Sequence, residues 1–419
     1  MNTRDDTPLP LQPPLHIAVV TETFPPEVNG AANSIGRICA GLLARGVTLQ
    51  IVRPYQPGDS GPWHCAEAEH LLVSGASLPN YPSVRVGFPA GRHLARAWQK
   101  QRPDVVHIAT EGPLGWSALQ TARRLDIAVT SSFNTNFHGY AAHYGAGWLA
   151  KIVAAYLRYF HNRTGVTIVP TAQMRDELAM RGIFNLAVVG RGVDCRLFNP
   201  ARRSAALREA FGAGKEAPVV LHVGRLAAEK NLDVLFAAFA AIHRHRRDAR
   251  LVIVGDGPER ARLQHAFPKH HFTGILTGAP LAEHYASADL FLYPSLTETF
   301  GNVTLEAMAS RLAVVAFDYA AAREHLRHME NGVRVPFGDA RSFVDMASML
   351  ARSPQKIQML REQARSKAES LDWENVFDAF LGQLTGIMSD HRRRRPSGSH
   401  PGALMARVGS RMTKRRTYP

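Results

Sequence analysis

Glu298 and Glu306 stand with seven residues between them in the stretch LFLYPSLTETFGNVTLEAMA, which runs from Leu290 to Ala309. A strand-like apolar run, Leu290–Tyr293, leads into a polar loop, Pro294 to Thr299, and a helical pattern starts near Phe300. A helix that begins there presents free N–H groups and the positive end of its dipole beyond the strand, an arrangement that favours an anion. Glu298 lies at that mouth and Glu306 nearly two turns into the helix. From spacing alone two readings stand: ordinary helix-start acids, or groups that meet a ligand. A second set sits upstream. The buried-strand run Pro218–Gly224 passes directly into RLAAEK, and a helix starts near Asn231. Arg225 and Lys230 therefore fall where backbone N–H groups and two cations together would suit a diphosphate. The plainer alternative is a pair of surface cations. A third set, Asn134, Asn136, His138 and Tyr140 in SSFNTNFHGY, follows a strand end. That is the usual place for ligand groups in open α/β sheets, although capping side chains of a polar loop would look the same.

The elements that must position these groups alternate. His16–Thr21 is a continuous apolar strand, Glu22–Gly30 a loop, Ala31–Ala44 a helix and Val47–Val52 a strand. This is a β–loop–α–β unit of nucleotide-binding type. Gly30 falls where backbone would approach a ligand closely, or where a turn alone needs glycine. Strands at Asp104–Ile108, Ile127–Ser131 and Thr167–Pro170 continue the pattern, with helices at Trp116–Leu125 and Ala172–Arg181. Within residues 144–163, Trp148, Ile152, Tyr156 and Phe160 fall four apart on one helical face, which suits core packing or a membrane surface. After the punctuated segment GRGVDCRLFNP, which ends at Pro200, a helix over Arg202–Phe211 opens a second α/β half. Its strands are Pro218–Gly224, Arg250–Val254, Phe272–Leu276, Leu290–Tyr293 and Ala313–Phe317. Trp373–Met388 is an amphipathic closing helix. The resulting division is a disordered N-terminus (1–14), a first Rossmann-like domain (15–200), a second (201–370), a crossover helix (371–389) and a basic disordered tail (390–419).

Composition limits the function classes. The 419 residues exceed one ordinary domain, and 45% apolar with 20% charged residues fits a soluble globular protein. No apolar run is long enough to span a bilayer. Residues 1–14 carry acids and prolines and no export-type apolar core, and Cys39, Cys65 and Cys195 are too few and too scattered for a disulfide framework or a zinc site. A reducing cytoplasm is the expected compartment. The net charge is +15, of which nine positive charges lie after residue 390, so the rest of the chain carries +6. Such a tail suits acidic lipid, nucleic acid or simple solvation.

Taken together, GRLAAEKN (224–231), the Glu298-x7-Glu306 pair in SLTETFGNVTLEAMAS, RGVDCRLFNP (191–200) and PPEVNG (25–30) resemble glycosyltransferase family 4. The resemblance covers roughly residues 16–385. It implies an α/β fold with two Rossmann-like domains facing across a cleft, the GT-B arrangement, with a nucleotide-sugar donor on the second domain. It further implies that Arg225 and Lys230 hold the donor diphosphate and stabilise leaving-group charge. Glu298 would bond donor-sugar hydroxyls, and backbone N–H groups of Phe300, Gly301 and Asn302 would face the sugar-phosphate. Glu306 would take the ribose hydroxyls, Ile275 and Leu276 would line the base pocket, and Gly30 would let the phosphate approach. Such enzymes retain anomeric configuration and generally need no metal or other cofactor, and no D-x-D pair appears in the sequence. Two positions depart from the family. Asn134 stands where many relatives place histidine, and a carboxamide bonds a hydroxyl but carries no charge. Arg311 stands where glycine is common.

The expected activity is hexosyl transfer from GDP-mannose or a UDP-hexose to an acceptor hydroxyl. The N-terminal half, including EGPLGWSALQTARR and the Trp148 helix, resembles bacterial family members that glycosylate lipids, which implies a lipid acceptor such as diacylglycerol. The basic surface and that helix are compatible with docking on anionic lipid at the inner face of the cell membrane. A soluble or polysaccharide acceptor is the alternative. Nucleic-acid binding through the tail is a remote one, because the core carries no basic helix with interleaved aromatics.

Overall fold

Continuous Val/Ile/Leu/Ala runs without polar alternation need cover on both faces, and parallel sheets flanked by helices provide it. In the computed structural model, which describes residues 14–27, 29–56, 59, 65–78, 81–134 and 147–394, these runs build two such sheets. The first comprises β1 (His16–Val20), β2 (Thr48–Pro54), β3 (Glu69–Val73), β6 (Val105–Ile108), β7 (Ala128–Ser132), β8 (Thr167–Val169) and β9 (Leu186–Val188). Their order is β3-β2-β1-β6-β7-β8-β9, and β4 (Gly75–Leu78) and β5 (Tyr81–Gly87) form a separate antiparallel pair. The second sheet has β10 (Val219–Val223), β11 (Arg250–Val254), β12 (His271–Gly274), β13 (Leu290–Tyr293), β14 (Ala313–Phe317) and β15 (Val333–Val335), ordered β12-β11-β10-β13-β14-β15. The expected α/β architecture of two Rossmann-like units is present.

Each order reverses once, between β1 and β6 and between β10 and β13. Crevices open at the strand ends of such switch points. Gly30 follows β1, Arg225 follows β10 and Glu298 follows β13, so the sequence candidates gather at these two crevices.

The helices used below are α1 (Gly30–Ala44), α2 (Gly91–Lys100), α3 (Pro113–Arg124), α4 (Gly147–His161), α5 (Leu232–His245), α6 (Asn302–Ala309) and α7 (Trp373–Arg394). The last of these belongs by packing to the first domain. Trp373, Phe377, Phe380 and Leu384 join Ile17, Leu42 and Ile51 in one core cluster. Each such side chain contributes about 1.5–3 kcal/mol as an upper bound. A Cβ on Gly41 would lie 2.4 Å from Phe377, so glycine sets how closely α1 meets α7. The helix continues to Arg394, past the expected break at residue 390, and Arg392 pairs with Asp104 at the foot of the first sheet. Residues 1–13 and 395–419 lie outside the described residues, as do Asn136, His138 and Tyr140.

Elsewhere the structure adjusts the sequence expectations. The interval between β2 and β6 holds β3, the β4–β5 pair and α2, none of which the apolar pattern announced. The helix expected over Arg202–Phe211 is a short 3-10 turn, Pro200–Arg202, followed by Ala205–Ala210. The strand expected to Leu276 stops at Gly274, which turns to φ +79°, and α6 starts after Gly301 at φ +87°. The four-apart stripe of the 144–163 segment divides. Phe160 is fully buried and Tyr156 partly so, whereas Ile152 is 56% exposed; the Trp148 side chain lies outside the described residues.

Arg311 proves to occupy the left-handed position after α6, at φ +63°. Its guanidinium reaches Glu362 at 2.8 Å, a half-exposed pair of small worth. A left-handed side-chain residue costs about 1 kcal/mol that glycine avoids. Arg311→Gly should therefore raise stability by about 0.5–1 kcal/mol; a lowered melting temperature would contradict this account.

Candidate active site

At the second switch point the strand ends fix two charged groups. Lys230 ends a 3-10 turn, Ala228–Lys230, because Asn231 takes a left-handed conformation (φ +52°) and redirects the chain into α5. Its ammonium pairs with Glu298 Oε1, and the two side chains are only 12% and 15% exposed. The same oxygen accepts from the Tyr293 hydroxyl and from Ser295 Oγ at 2.7 Å. Tyr319 OH donates to the Glu298 carbonyl at 3.0 Å, and Leu296 N donates to the Glu229 carbonyl at 3.0 Å. The loop between β13 and α6 is thus tied to the loop after β10 by its own backbone and by this carboxylate. Burial and the Glu298 charge hold the Tyr293 phenol well above its ordinary value, so it remains a donor. Beneath it His222 is kept neutral: burial pushes it down to about 4, with Nδ1 bonded to the Leu292 carbonyl at 3.0 Å.

Arg225 points from the same loop, one-third exposed, with Nη1 at 3.8 Å from the buried Glu229 carboxylate. Across the cleft the N-termini of α1 and α6 meet. Asn302 Nδ2 lies 3.3 Å from Ser34 Oγ and 3.5 Å from the Gly30 carbonyl. Among the described residues no hydrogen bond uses the N–H groups of Phe300, Gly301 or Asn302. Two helix N-termini face this gap and favour an anion there, beside the Lys230–Glu298 and Arg225–Glu229 pairs. Glu306 lies deeper in α6. Burial pushes it up to about 7, while its bond from Tyr285 OH (3.0 Å) and the charge of Arg37 on α1 oppose that rise. Leu276 packs on the second core, and Ile275 stands 60% exposed beyond β12, an apolar surface a flat ring could cover.

Asn134 is placed differently from the rest. Its Nδ2 donates to the Ala109 carbonyl at 3.0 Å, and its Oδ1 accepts from Arg191 Nη2 at 2.6 Å. Its carboxamide is largely taken up by the protein, with one N–H left over. Arg191 was not singled out from the sequence, although it opens the RGVDCRLFNP motif.

The first switch point holds two further groups that spacing did not reveal. Glu22 accepts from Leu114 N at 3.0 Å and so caps α3, whose N-cap, Gly112, has no side chain to do it. A Cβ on Gly112 would lie 2.0 Å from that carboxylate, and one on Gly115 would lie 2.1 Å from the Thr110 carbonyl, which accounts for both glycines of EGPLG. Glu111 is buried, with neither carboxylate oxygen hydrogen-bonded among the described residues, while Tyr156 OH on α4 donates to its backbone carbonyl at 2.5 Å.

Burial pushes Glu111 up to about 8, with the Glu22 charge adding to it, and burial pushes Glu22 up to about 7 against the N–H groups of Leu114 and Gly115. Both folded values exceed the ordinary 4.5, so in that window the folded chain binds more protons than the unfolded one. The contribution of these two acids to stability should fall as pH rises from about 4.5 to 8. Glu111→Gln, which mimics the protonated acid, is expected to be near neutral at about pH 5 and stabilising by about 1 kcal/mol or more at about pH 8.5. Urea midpoints at both pH values check this; equal shifts at the two would show that Glu111 is ionised throughout.

Comparison with known proteins matches this geometry. Residues 28–197 match the glycosyltransferase family 4 model, and residues 217–353 match the model for glycosyl transferases group 1. A GDP-mannose-dependent alpha-mannosyltransferase of Mycobacterium tuberculosis is 33% identical over 378 residues, 89% of this chain and 97% of the relative. An alpha-monoglucosyldiacylglycerol synthase of Acholeplasma laidlawii is 24% identical, covering 72% of this chain and 80% of the relative. Among solved structures, sucrose-phosphate synthase from Thermosynechococcus elongatus superposes with a TM-score of 0.72 at 19% identity, over 88% of this chain and 98% of that one. The fold is GT-B and the chain is a glycosyltransferase. With its two halves matched in order and a relative one-third identical along nearly its full length, the chain belongs to glycosyltransferase family 4.

Proposed function

We propose that this chain transfers mannose from GDP-mannose to a hydroxyl of a diacylglycerol-based lipid, with retention of anomeric configuration. The Lys230–Glu298 node at the β10–β13 crevice is the observation that carries the reading. There a sugar diphosphate would meet two cations and two helix N-termini, with a fixed carboxylate beside them. Arg225 and Lys230 hold the diphosphate and stabilise the charge that develops on the leaving phosphate, with no metal invoked. Glu298 holds the sugar hydroxyls, and the N–H groups of Phe300 to Asn302 face the sugar-phosphate. Glu306 takes the ribose hydroxyls, Ile275 and Leu276 flank the base, and Gly30 leaves room for the phosphate. The M. tuberculosis relative favours the GDP-mannose donor and the A. laidlawii relative a lipid acceptor.

An outer face of the first domain supports work at the inner surface of the cell membrane. Ile152 and Tyr159 on α4 are 56% and 46% exposed, and Lys151 and Arg158 flank them. Arg92, His93, Trp116, Gln120 and Arg124 line a hollow of about 640 Å³ between α2 and α3. Basic side chains interleaved with aromatic ones suit anionic headgroups. No described helix is long and apolar enough to cross a membrane.

Glu298→Gln and Lys230→Ala should each lower kcat/KM for the donor by about 10²–10³-fold. Glu306→Ala should chiefly raise the donor KM, by about tenfold. Turnover near wild type in Glu298→Gln would refute the central assignment. The broader test offers GDP-mannose, UDP-glucose, UDP-galactose and UDP-glucuronate, with and without anionic liposomes containing diacylglycerol, and reads products by mass spectrometry. A mannosyl-lipid made only with GDP-mannose is the expected result. Donor turnover that yields only soluble product would overturn the lipid acceptor and leave the transferase.

A further inference from the structure

The buried guanidinium groups of Arg53, Arg208 and Arg361 are paired with carboxylates. Arg53 meets Asp59, both almost wholly buried, and Arg208 and Arg361 converge on Asp289. This is the usual requirement, because a desolvated charge is costly unless another compensates it. Arg191 departs from it. The residue follows β9 on the segment that leaves the first domain, and its guanidinium forms no ion pair among the described residues. Its side-chain hydrogen bond there, at 2.6 Å, goes to the neutral Asn134 carboxamide. Burial alone pulls it down to about 10, and no acid opposes the shift. The residue is nevertheless not sealed, since part of its surface stays accessible.

Its position is set from the first sheet. Asn134 follows β7, and its anchorage to the Ala109 carbonyl beyond β6 leaves Oδ1 to the guanidinium. The cation is thereby held at the strand-end edge of the sheet, the edge where Gly30 meets Asn302 of the other domain. His107, inside the same sheet, stays neutral: burial and then the Arg191 charge push it down to about 3. A guanidinium has five donors in a planar fork, and the amide engages one of them.

We propose that Arg191 is a substrate-facing cation that binds an anionic oxygen group, phosphate or carboxylate, in the cleft, and that Asn134 is its positioning residue. The inference rests on the reading of the cleft as the transferase site. It also accounts for the asparagine at 134. A protonated histidine there would repel the guanidinium, whereas a carboxamide oxygen accepts from it and leaves the remaining donors to the ligand. The positive charge that Asn134 lacks is supplied beside it by Arg191. Two sources offer such a group: the donor's phosphates, or an acidic substituent on the acceptor.

Calorimetry on the full chain separates them. The probes are GDP and then, with GDP present, octyl glucuronide and octyl glucoside, which differ by one carboxylate. Arg191→Gln should weaken one anionic probe by about tenfold or more. Loss confined to GDP assigns the group to the donor; loss for the glucuronide but not the glucoside assigns it to the acceptor. Asn134→Ala should lose a comparable amount, and the double variant no more than Arg191→Gln alone. Arg191→Lys, which keeps the charge, should recover part of the binding and guards against a misfolded glutamine variant. Binding of both anions within about twofold of wild type in Arg191→Gln, or equal loss for glucoside and glucuronide, overturns the inference. GDP-mannose turnover in Lys230→Ala tests the transferase reading separately, so either idea can fail without the other.

Discussion

A lysine and a glutamate, each little more than a tenth exposed, lie against one another, and each offsets the cost of desolvating the other. Removing one would strand the second in a poorly solvated place, at a cost of about 3–5 kcal/mol. The second domain is arranged so that this does not happen. Lys230 is delivered by a turn that the left-handed Asn231 terminates, and Glu298 by a loop pinned through Leu296, Tyr293, Ser295 and Tyr319. The two loops issue from β10 and β13, the adjacent strands at which sheet order reverses. A ligand that enters this crevice would meet a cation and a carboxylate already oriented. Fixed dipoles and charges of this kind act on a transition state without reorganising during the reaction.

The partner half of the cleft depends on a different constraint, the close approach of backbones. The chain passes between domains near residues 189–193 and returns near 371–373, and the two passages touch. Val193 N donates to the Leu371 carbonyl at 3.0 Å, and a Cβ on Gly192 would fall 2.7 Å from Trp373 N. The return passage then buries α7 in the first domain's core. The domains are therefore fastened firmly where the chain crosses. Around the gap between the N-termini of α1 and α6 they meet through polar contacts, Asn302 with Ser34 and Arg37 with Asp194 at 3.1 Å. Contacts of that sort each contribute about 1 kcal/mol, little enough for a ligand to compete with them.

Charge is distributed unevenly over the first domain. Two acids, Glu22 and Glu111, lie buried at one switch-point edge, where burial favours their protonated forms. Arg191 lies at the far side of β7 with a neutral partner, Asn134, and exposed cations cover the outer helices. The Tyr156 bond to the Glu111 carbonyl connects the exposed helix α4 to the strand end of β6.

Much of the framework was legible in the sequence because it depends on local pattern. Continuous apolar runs gave β11, β13 and β14 to the residue, since a strand covered on both faces has no polar position to confuse it. The placement of Arg225, Lys230, Glu298 and Glu306 at strand ends and helix starts followed from the same alternation. Other features are properties of distant residues brought together, and no local pattern encodes them. The hairpin and α2 between residues 75 and 100 lack a continuous apolar run, and α7 takes its value from a core more than 300 residues upstream. Which cation pairs with Glu298, why EGPLG needs both glycines, and how Asn134 holds Arg191 across 57 positions were all decided by tertiary structure. The sequence determined which groups stand at the ends of strands. Packing decided which of them lose their water, and desolvation decides which charges must be shared, protonated or left for a ligand.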